Sequence, residues 1–217
     1  MTKGIEVEGE VSLHQRASPV MDRSRETVAQ LLSISAKLLD DVGVDGFNTN
    51  LLAAQAGMRI RTVYRYFPNK FAIIATIARN ISNEWDLALE PHFLRLENKN
   101  NSDWRSILRT LMRAWIQLPT NQLGGVAVAK AMSEAPELHS LDNEIFARTT
   151  DRIAQALIRR GISLPTVRVR AISRVFTLSV HAAVDLSLRL ESENERRQLW
   201  RELTDMHVSN LGRYLEG

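Results

Sequence analysis

The stretch that decides the fold is Asn48-Thr-Asn-Leu-Leu-Ala-Ala-Gln-Ala-Gly57-Met-Arg-Ile-Arg-Thr-Val-Tyr-Arg-Tyr66-Phe-Pro-Asn-Lys70. Its apolar spacing predicts two short helices, 48–56 and 59–66, broken at Gly57 and ended by Pro68, because proline pushes its predecessor out of the helical region. Leu52, Ala53 and Ala56 give the first helix one apolar face, and Ile60, Val63 and Phe67 give the second another. The alanines permit close approach. Two short helices joined through a glycine suggest a helix-turn-helix, whose second helix enters the DNA major groove while the first crosses the backbone. Opposite the apolar face of the second helix lie Arg59, Arg61, Thr62, Arg65 and Tyr66. Guanidinium groups fork to guanine edges, and Thr or Tyr hydroxyls bond phosphate. A plain corner in an all-helical core would show the same spacing.

Charge placement speaks for DNA. Residues 46 to 83 carry Arg59, Arg61, Arg65, Lys70 and Arg79 and no Asp or Glu, so this segment is +5 and the rest of the chain −2, within a total of +3. Lys70 opens the next helix just after the expected cap Asn69, where free backbone N–H groups also favour a phosphate. Arg79 reads as a solvated helix residue.

Working outward, the remainder reads as helix without strands. Ser24 looks like an N-cap, followed by Val28, Leu31, Leu32, Leu38, Leu39 and Val42 at helical spacing and a stop at Gly43. A long helix from Asn69 breaks near Pro91, the polar run 97–102 is a loop, and further helices are expected at about 103–118, 125–134, 138–160, 165–190 and 194–215. The expectation is an all-α chain of about nine helices. It has a mobile N-terminal arm at 1–23, a three-helix DNA-binding domain at 24–70 and a larger helical part at 71–217. The arm holds three basic and four acidic residues, poorly charged for entering a minor groove.

Composition removes other classes. The 217 residues are 44% hydrophobic and 24% charged, enough for a sizeable core, and with no cysteine there is no disulfide, thiol nucleophile or thiolate metal site. The N-terminus has three glutamates where a secretory signal needs an apolar stretch, and the longest uncharged run, Ala114 to Ala129, is too short and polar to span a bilayer. A cytoplasmic protein with no membrane association is expected. His14, His92, His139, His181 and His207 are dispersed, and no phosphate loop or nucleophile elbow occurs, so neither an enzyme nor a cofactor is expected.

The run Val42-Gly-Val-Asp-Gly-Phe-Asn-Thr, Leu52-Ala, Ala56-Gly-Met and Thr62-Val-Tyr-Arg-Tyr-Phe-Pro-Asn-Lys70 resembles the DNA-binding domain of the tetracycline-repressor (TetR-like) family, over about residues 24 to 75. The resemblance implies phosphate contacts from Asn48, Thr49, Tyr64, Tyr66 and Lys70, and base reading by Asn50, Arg59, Arg61 and Arg65. It also implies double-stranded DNA with a palindromic operator as partner, a homodimer, and a small-molecule effector held by the C-terminal part. One departure stands out: the family's recognition helix often opens on Ser or Thr, whereas Arg59 cannot cap in that way. Tyr64 is either a phosphate contact or a residue packed between helices.

The C-terminal part offers less. Ala171 to Leu190 is apolar nearly all round, which means burial in the core or against a partner. Its Arg174, His181, Asp185 and Arg189 fall within about 80° of one another. That stripe is a solvent edge, a polar strip across a dimer interface, or a wall of a ligand cavity. On the last helix Leu199, Leu203, Met206, Asn210 and Tyr214 share a face, with Trp200 and Leu211 beside it, and the last two helices are the natural candidates for dimerisation. The resemblance implies a ligand cavity; Trp85, Met112, Trp115 and Phe176 are either candidates to line it or ordinary core residues, and His181 with Asp185 one turn later either fixes a ligand's polar group or forms a satisfied buried pair. The second class considered is a helical ligand-binding or interaction protein whose helix-turn-helix no longer binds DNA.

Overall fold

A computed structural model describes residues 11–16, 22–117 and 122–215. Among these it is all-α. Nine α-helices run α1 (Asp22–Gly46), α2 (Thr49–Gln55), α3 (Ile60–Tyr66), α4 (Lys70–Glu97), α5 (Trp104–Gln117), α6 (Gly125–Glu134), α7 (His139–Arg160), α8 (Thr166–Arg189) and α9 (Glu193–Leu215), with a 3₁₀ turn at Pro136–Leu138.

The chain forms two compact units, one of residues up to 80 with 123–142, the other of 81–122 with 143–217. This differs from the division expected at residue 70, because α6 joins the first unit by packing on α1. Gly124 makes that possible: its φ is +75°, its N–H donates to Asp40 Oδ2 at 2.8 Å, and a Cβ there would lie 3.0 Å from Ala36 Cβ. The first core is dense, with Leu31, Phe47, Leu52, Val63, Phe67 and Ile73 fully buried. Each such side chain contributes about 1.5–3 kcal/mol relative to exposure.

Several expectations are corrected. Ser24 is not a cap, since α1 already begins at Asp22. Gly43 kinks α1 with φ +68° instead of ending it, and the helix resumes to Gly46. Residues 11–16, expected in a mobile arm, are held on the first unit, with Leu13 only 7% exposed; residues 1–10 and 17–21 lie outside the described ones, as does Pro119. Arg79 is no free surface residue, for its Nη1 donates to Leu13 O at 3.0 Å. No break occurs at Pro91, which sits inside α4. Proline there removes the hydrogen bond to Leu87 O, but Pro91 and Leu87 face solvent, where the cost of the lost bond is smaller than in a core.

The second unit has its own core. Trp104, Ile107, Leu108, Leu111, Met112 and Trp115 line one face of α5 and pack with residues of α4, α7, α8 and α9. Arg160 is 9% exposed and donates to the carbonyls of Leu96, Asn98 and Asn101, so one planar guanidinium closes the end of α4 and fixes the polar loop after it. Along α4 and α7, Arg152 holds Glu90 with a two-pronged contact at 2.8 and 2.9 Å and Glu97 at 2.7 Å. That bonding to Arg152 lowers the Glu90 pKa. On α9 Trp200 and Leu211, expected beside the apolar face, are buried together with His207 and Val208; Leu199, Leu203 and Tyr214 pack partly buried against the core, and Met206 is half-exposed.

Candidate nucleic-acid interface

The α2–α3 pair is built as the spacing predicts. Asn48 Oδ1 accepts from Leu51 N at 2.9 Å and caps α2. At the other end Gly57, with φ +62°, turns the chain, and Met58 N donates to Ala53 O while Gly57 N donates to Ala54 O. This doubly bonded glycine stop lets α3 restart at Ile60, after two intervening residues. Leu52 and Val63, both fully buried, pack the inner faces. Arg59 occupies the N-cap position of α3 and makes no side-chain cap bond, as the departure from Ser or Thr implied.

What remains outside is a polar surface. Arg59, Arg61 and Arg65 are exposed, as are Asn48 and Asn50; Thr62 is half-buried. Among the described residues none of these three guanidinium groups has an ion-pair partner. Tyr64 combines both readings: it is 43% exposed, and its hydroxyl bonds Thr49 Oγ1 at 3.1 Å, which ties α3 to the first turn of α2. Two expected contacts are displaced. Tyr66 is 4% exposed and Thr49 8%, so neither side chain is offered to DNA; Arg65 lies over the Tyr66 ring at 5.5 Å. Asn69 Oδ1 caps α4 through Ala72 N at 2.8 Å. Lys70 is half-buried and donates to Val44 O at 3.1 Å; with Phe71, Lys130 and Glu134 it lines a cleft of about 440 Å³ in the first unit.

The ligand candidates separate into groups. Met112, Trp115 and Phe176 come together in the second core, with Trp115 and Phe176 ring centroids 6.2 Å apart. Trp85 is half-buried and donates to Gln122 Oε1 at 3.0 Å. His181 and Asp185 are on the other side of α8 from Phe176, His181 edge-on to Phe146 at 5.5 Å and Asp185 paired with Arg189. They form no polar fixture beside Phe176. That position belongs to a pair the sequence did not single out. His207, 4% exposed, stacks on Phe176 at 4.1 Å and its Nε2 lies 2.8 Å from Ser179 Oγ. Burial pushes its pKa down to about 4, so the ring is neutral at physiological pH.

A helix-turn-helix with acid-free, exposed arginines on its second helix is the surface of a DNA-binding transcriptional regulator. The comparisons give the family. Residues 31–77 match the model described as bacterial regulatory proteins, tetR family, and residues 103–211 the model described as tetracyclin repressor-like, C-terminal domain. The HTH-type transcriptional regulator EthR of Mycobacterium tuberculosis is 24% identical over 152 residues, covering 68% of this chain and 69% of that protein. A TetR-family transcriptional regulator from Streptomyces coelicolor shares the fold with a TM-score of 0.55 and 22% identity, covering 87% of this chain and 99% of that one. So does NalD, described as the secondary repressor of the MexAB-OprM multidrug efflux pump in Pseudomonas aeruginosa, with a TM-score of 0.60 and 17% identity over 84% of this chain and 96% of that one. The chain belongs to the tetracycline-repressor family.

Proposed function

We propose that the protein is a cytoplasmic repressor that occupies a palindromic operator as a homodimer and leaves it when a small molecule binds. The observation that carries the DNA half is the unpaired surface of Arg59, Arg61 and Arg65 on α3, flanked by Asn48, Asn50 and Tyr64. Arg61 and Arg65 read base edges. Asn48, Tyr64 and Lys70 engage phosphates, Lys70 through the ammonium protons left beyond its bond to Val44 O.

The dimer rests on α8. Its buried residues Val169, Ser173, Phe176, Val180 and Ala183 face the core. Val167, Ala171, Val175, Leu178, Ala182 and Leu186 are exposed, and at 100° per residue they fall within about 100° of arc. A continuous apolar stripe on that scale marks an interaction face. The Arg174–His181–Asp185–Arg189 stripe runs along its edge, which favours a polar strip at a dimer interface over a cavity wall. Two-fold symmetry then matches half-sites about one helical turn, or a multiple of it, apart.

For the effector, residues 103–211 match the family's C-terminal domain, and that part of the chain is the one proposed to hold a small molecule. Release requires only that the ligand prefer one of two dimer geometries by a few kcal/mol.

The test is selection of duplexes from a random-sequence pool by the wild-type protein, followed by binding against salt. Arg65→Ala should relax sequence preference, and Lys70→Ala should weaken all duplexes alike and flatten the log–log salt slope by about 0.9. Enrichment of no duplex sinks the reading.

A further inference from the structure

Val11–Arg16 is fastened to the DNA-binding unit at closely spaced points. Asn69 Nδ2 donates to Ser12 O at 3.1 Å, Arg79 Nη1 to Leu13 O at 3.0 Å, and Arg16 N to Tyr66 O at 2.8 Å, while the Leu13 side chain is buried. Asn69 thus works with both ends of its amide, the oxygen capping α4 and the nitrogen holding this strap.

The acceptors show what the strap reaches. Tyr64 O belongs to the last turn of α3, and its helical donor would be the N–H of residue 68, which is proline and has none. Arg16 Nη1 approaches that carbonyl at 3.5 Å. The guanidinium therefore sits at the negative end of the α3 dipole, where a cation is favoured. A separation of 3.5 Å is long for a hydrogen bond, so the group is placed there without being consumed. It is exposed, beside exposed Tyr64 and Arg65.

We propose that Arg16 is a further DNA contact: the strap carries a fourth guanidinium to the C-terminal end of the recognition helix, where it binds a backbone phosphate. A charge-assisted bond to phosphate is shorter and stronger than the long contact to Tyr64 O. The contact adds affinity without sequence preference, since phosphates carry none. The inference rests on the reading that α3 enters the groove.

The experiment uses the full chain and the duplex that the wild-type protein enriches from a random pool, with Kd measured from 50 to 200 mM salt. Arg16→Gln removes the charge while keeping the backbone bond to Tyr66 O and the buried Leu13, so its melting temperature stays that of wild type. Its log–log salt slope should fall by about 0.9, the loss expected for one phosphate contact. Arg16→Lys should restore the slope. A residue that only capped α3 would leave the slope unchanged. An unchanged Arg16→Gln slope, in an assay where Arg65→Ala has lost affinity, overturns the strap assignment and leaves the DNA reading intact. A wild-type protein that enriches no duplex overturns both.

Discussion

His207 makes the second unit sensitive to acid in a way that can be worked out in advance. The ring is buried against Phe176, its Nε2 is engaged with Ser179, and burial holds its folded-state pKa at about 4 against an ordinary 6.5. The folded pKa is depressed, so on acidification the unfolded chain takes up this proton first. Stability from the neutral ring is complete above pH 6.5, erodes by about 1.4 kcal/mol per pH unit below it, and is fully lost once pH falls through about 4. Between pH 7.5 and 4.5 the loss amounts to about 2 to 3 kcal/mol from this residue alone. Carboxylates also respond to acid, so the measurement is a difference of differences. Urea unfolding followed by Trp fluorescence at both pH values is compared for wild type and His207→Gln, whose side chain does not titrate. The variant should be less stable at pH 7.5 and lose about 2 to 3 kcal/mol less on acidification. Equal losses, within about 0.5 kcal/mol, would refute the account and place the imidazole in contact with water.

Other outcomes follow from single contacts. Gly124→Ala meets the Ala36 Cβ at 3.0 Å while holding φ +75°, and should destabilise the first unit by about 2 to 4 kcal/mol in denaturant unfolding. Arg160→Ala leaves the Leu96 carbonyl at the end of α4 and those of Asn98 and Asn101 in the loop after it without their donor and should cost about 1 to 3 kcal/mol, with Arg160→Lys recovering only part because an ammonium cannot span all three. Leu178→Asp, at the middle of the exposed α8 stripe and 60% exposed, should give a folded monomer by light scattering with unchanged helical circular dichroism; a variant that stays dimeric removes α8 from the interface.

The helices were legible where proline and glycine punctuate the chain: α6 spans 125–134 as read, α7, α8 and α9 differ by one residue at their starts, and α8 also by one at its end. Pro91 misled because a proline's cost depends on whether water can reach the freed carbonyl, which is a matter of burial rather than sequence. Tyr66 was misassigned although the period contained the answer. At 100° per residue it lies about 60° from Val63, on the buried side, while Arg61 and Arg65 lie nearly opposite. Chemical suitability for DNA outweighed position there. Arg16 and His207 carried no signal at all. The first stood in an arm of mixed charge, and the second needed Ser179 and Phe176, 28 and 31 positions away in sequence, before its burial made physical sense.

α8 shows most plainly why composition alone underdetermines function. By length and hydropathy it qualifies as a membrane span, and with only 28% of its most apolar window buried within the chain, it is the placement of its polar groups that argues against one. A span facing lipid all round has no reason to segregate its polar groups, whereas α8 does so on both sides. Inside, Thr177 Oγ1 accepts from Thr150 Oγ1 at 3.1 Å and donates to Ser173 O at 3.0 Å, a chain of hydroxyls against α7 that fixes the register of two helices. Outside, the apolar stripe from Val167 to Leu186 is bordered by Arg174 along one edge and closed off by Arg189 beyond its C-terminal end. Charges at the rim of an apolar face stay solvated when that face is covered by a copy of itself, and they oppose its burial in lipid. Under the proposed dimer, the same helix that reads as apolar all round is divided between two protein surfaces, one folded with the chain and one formed on association.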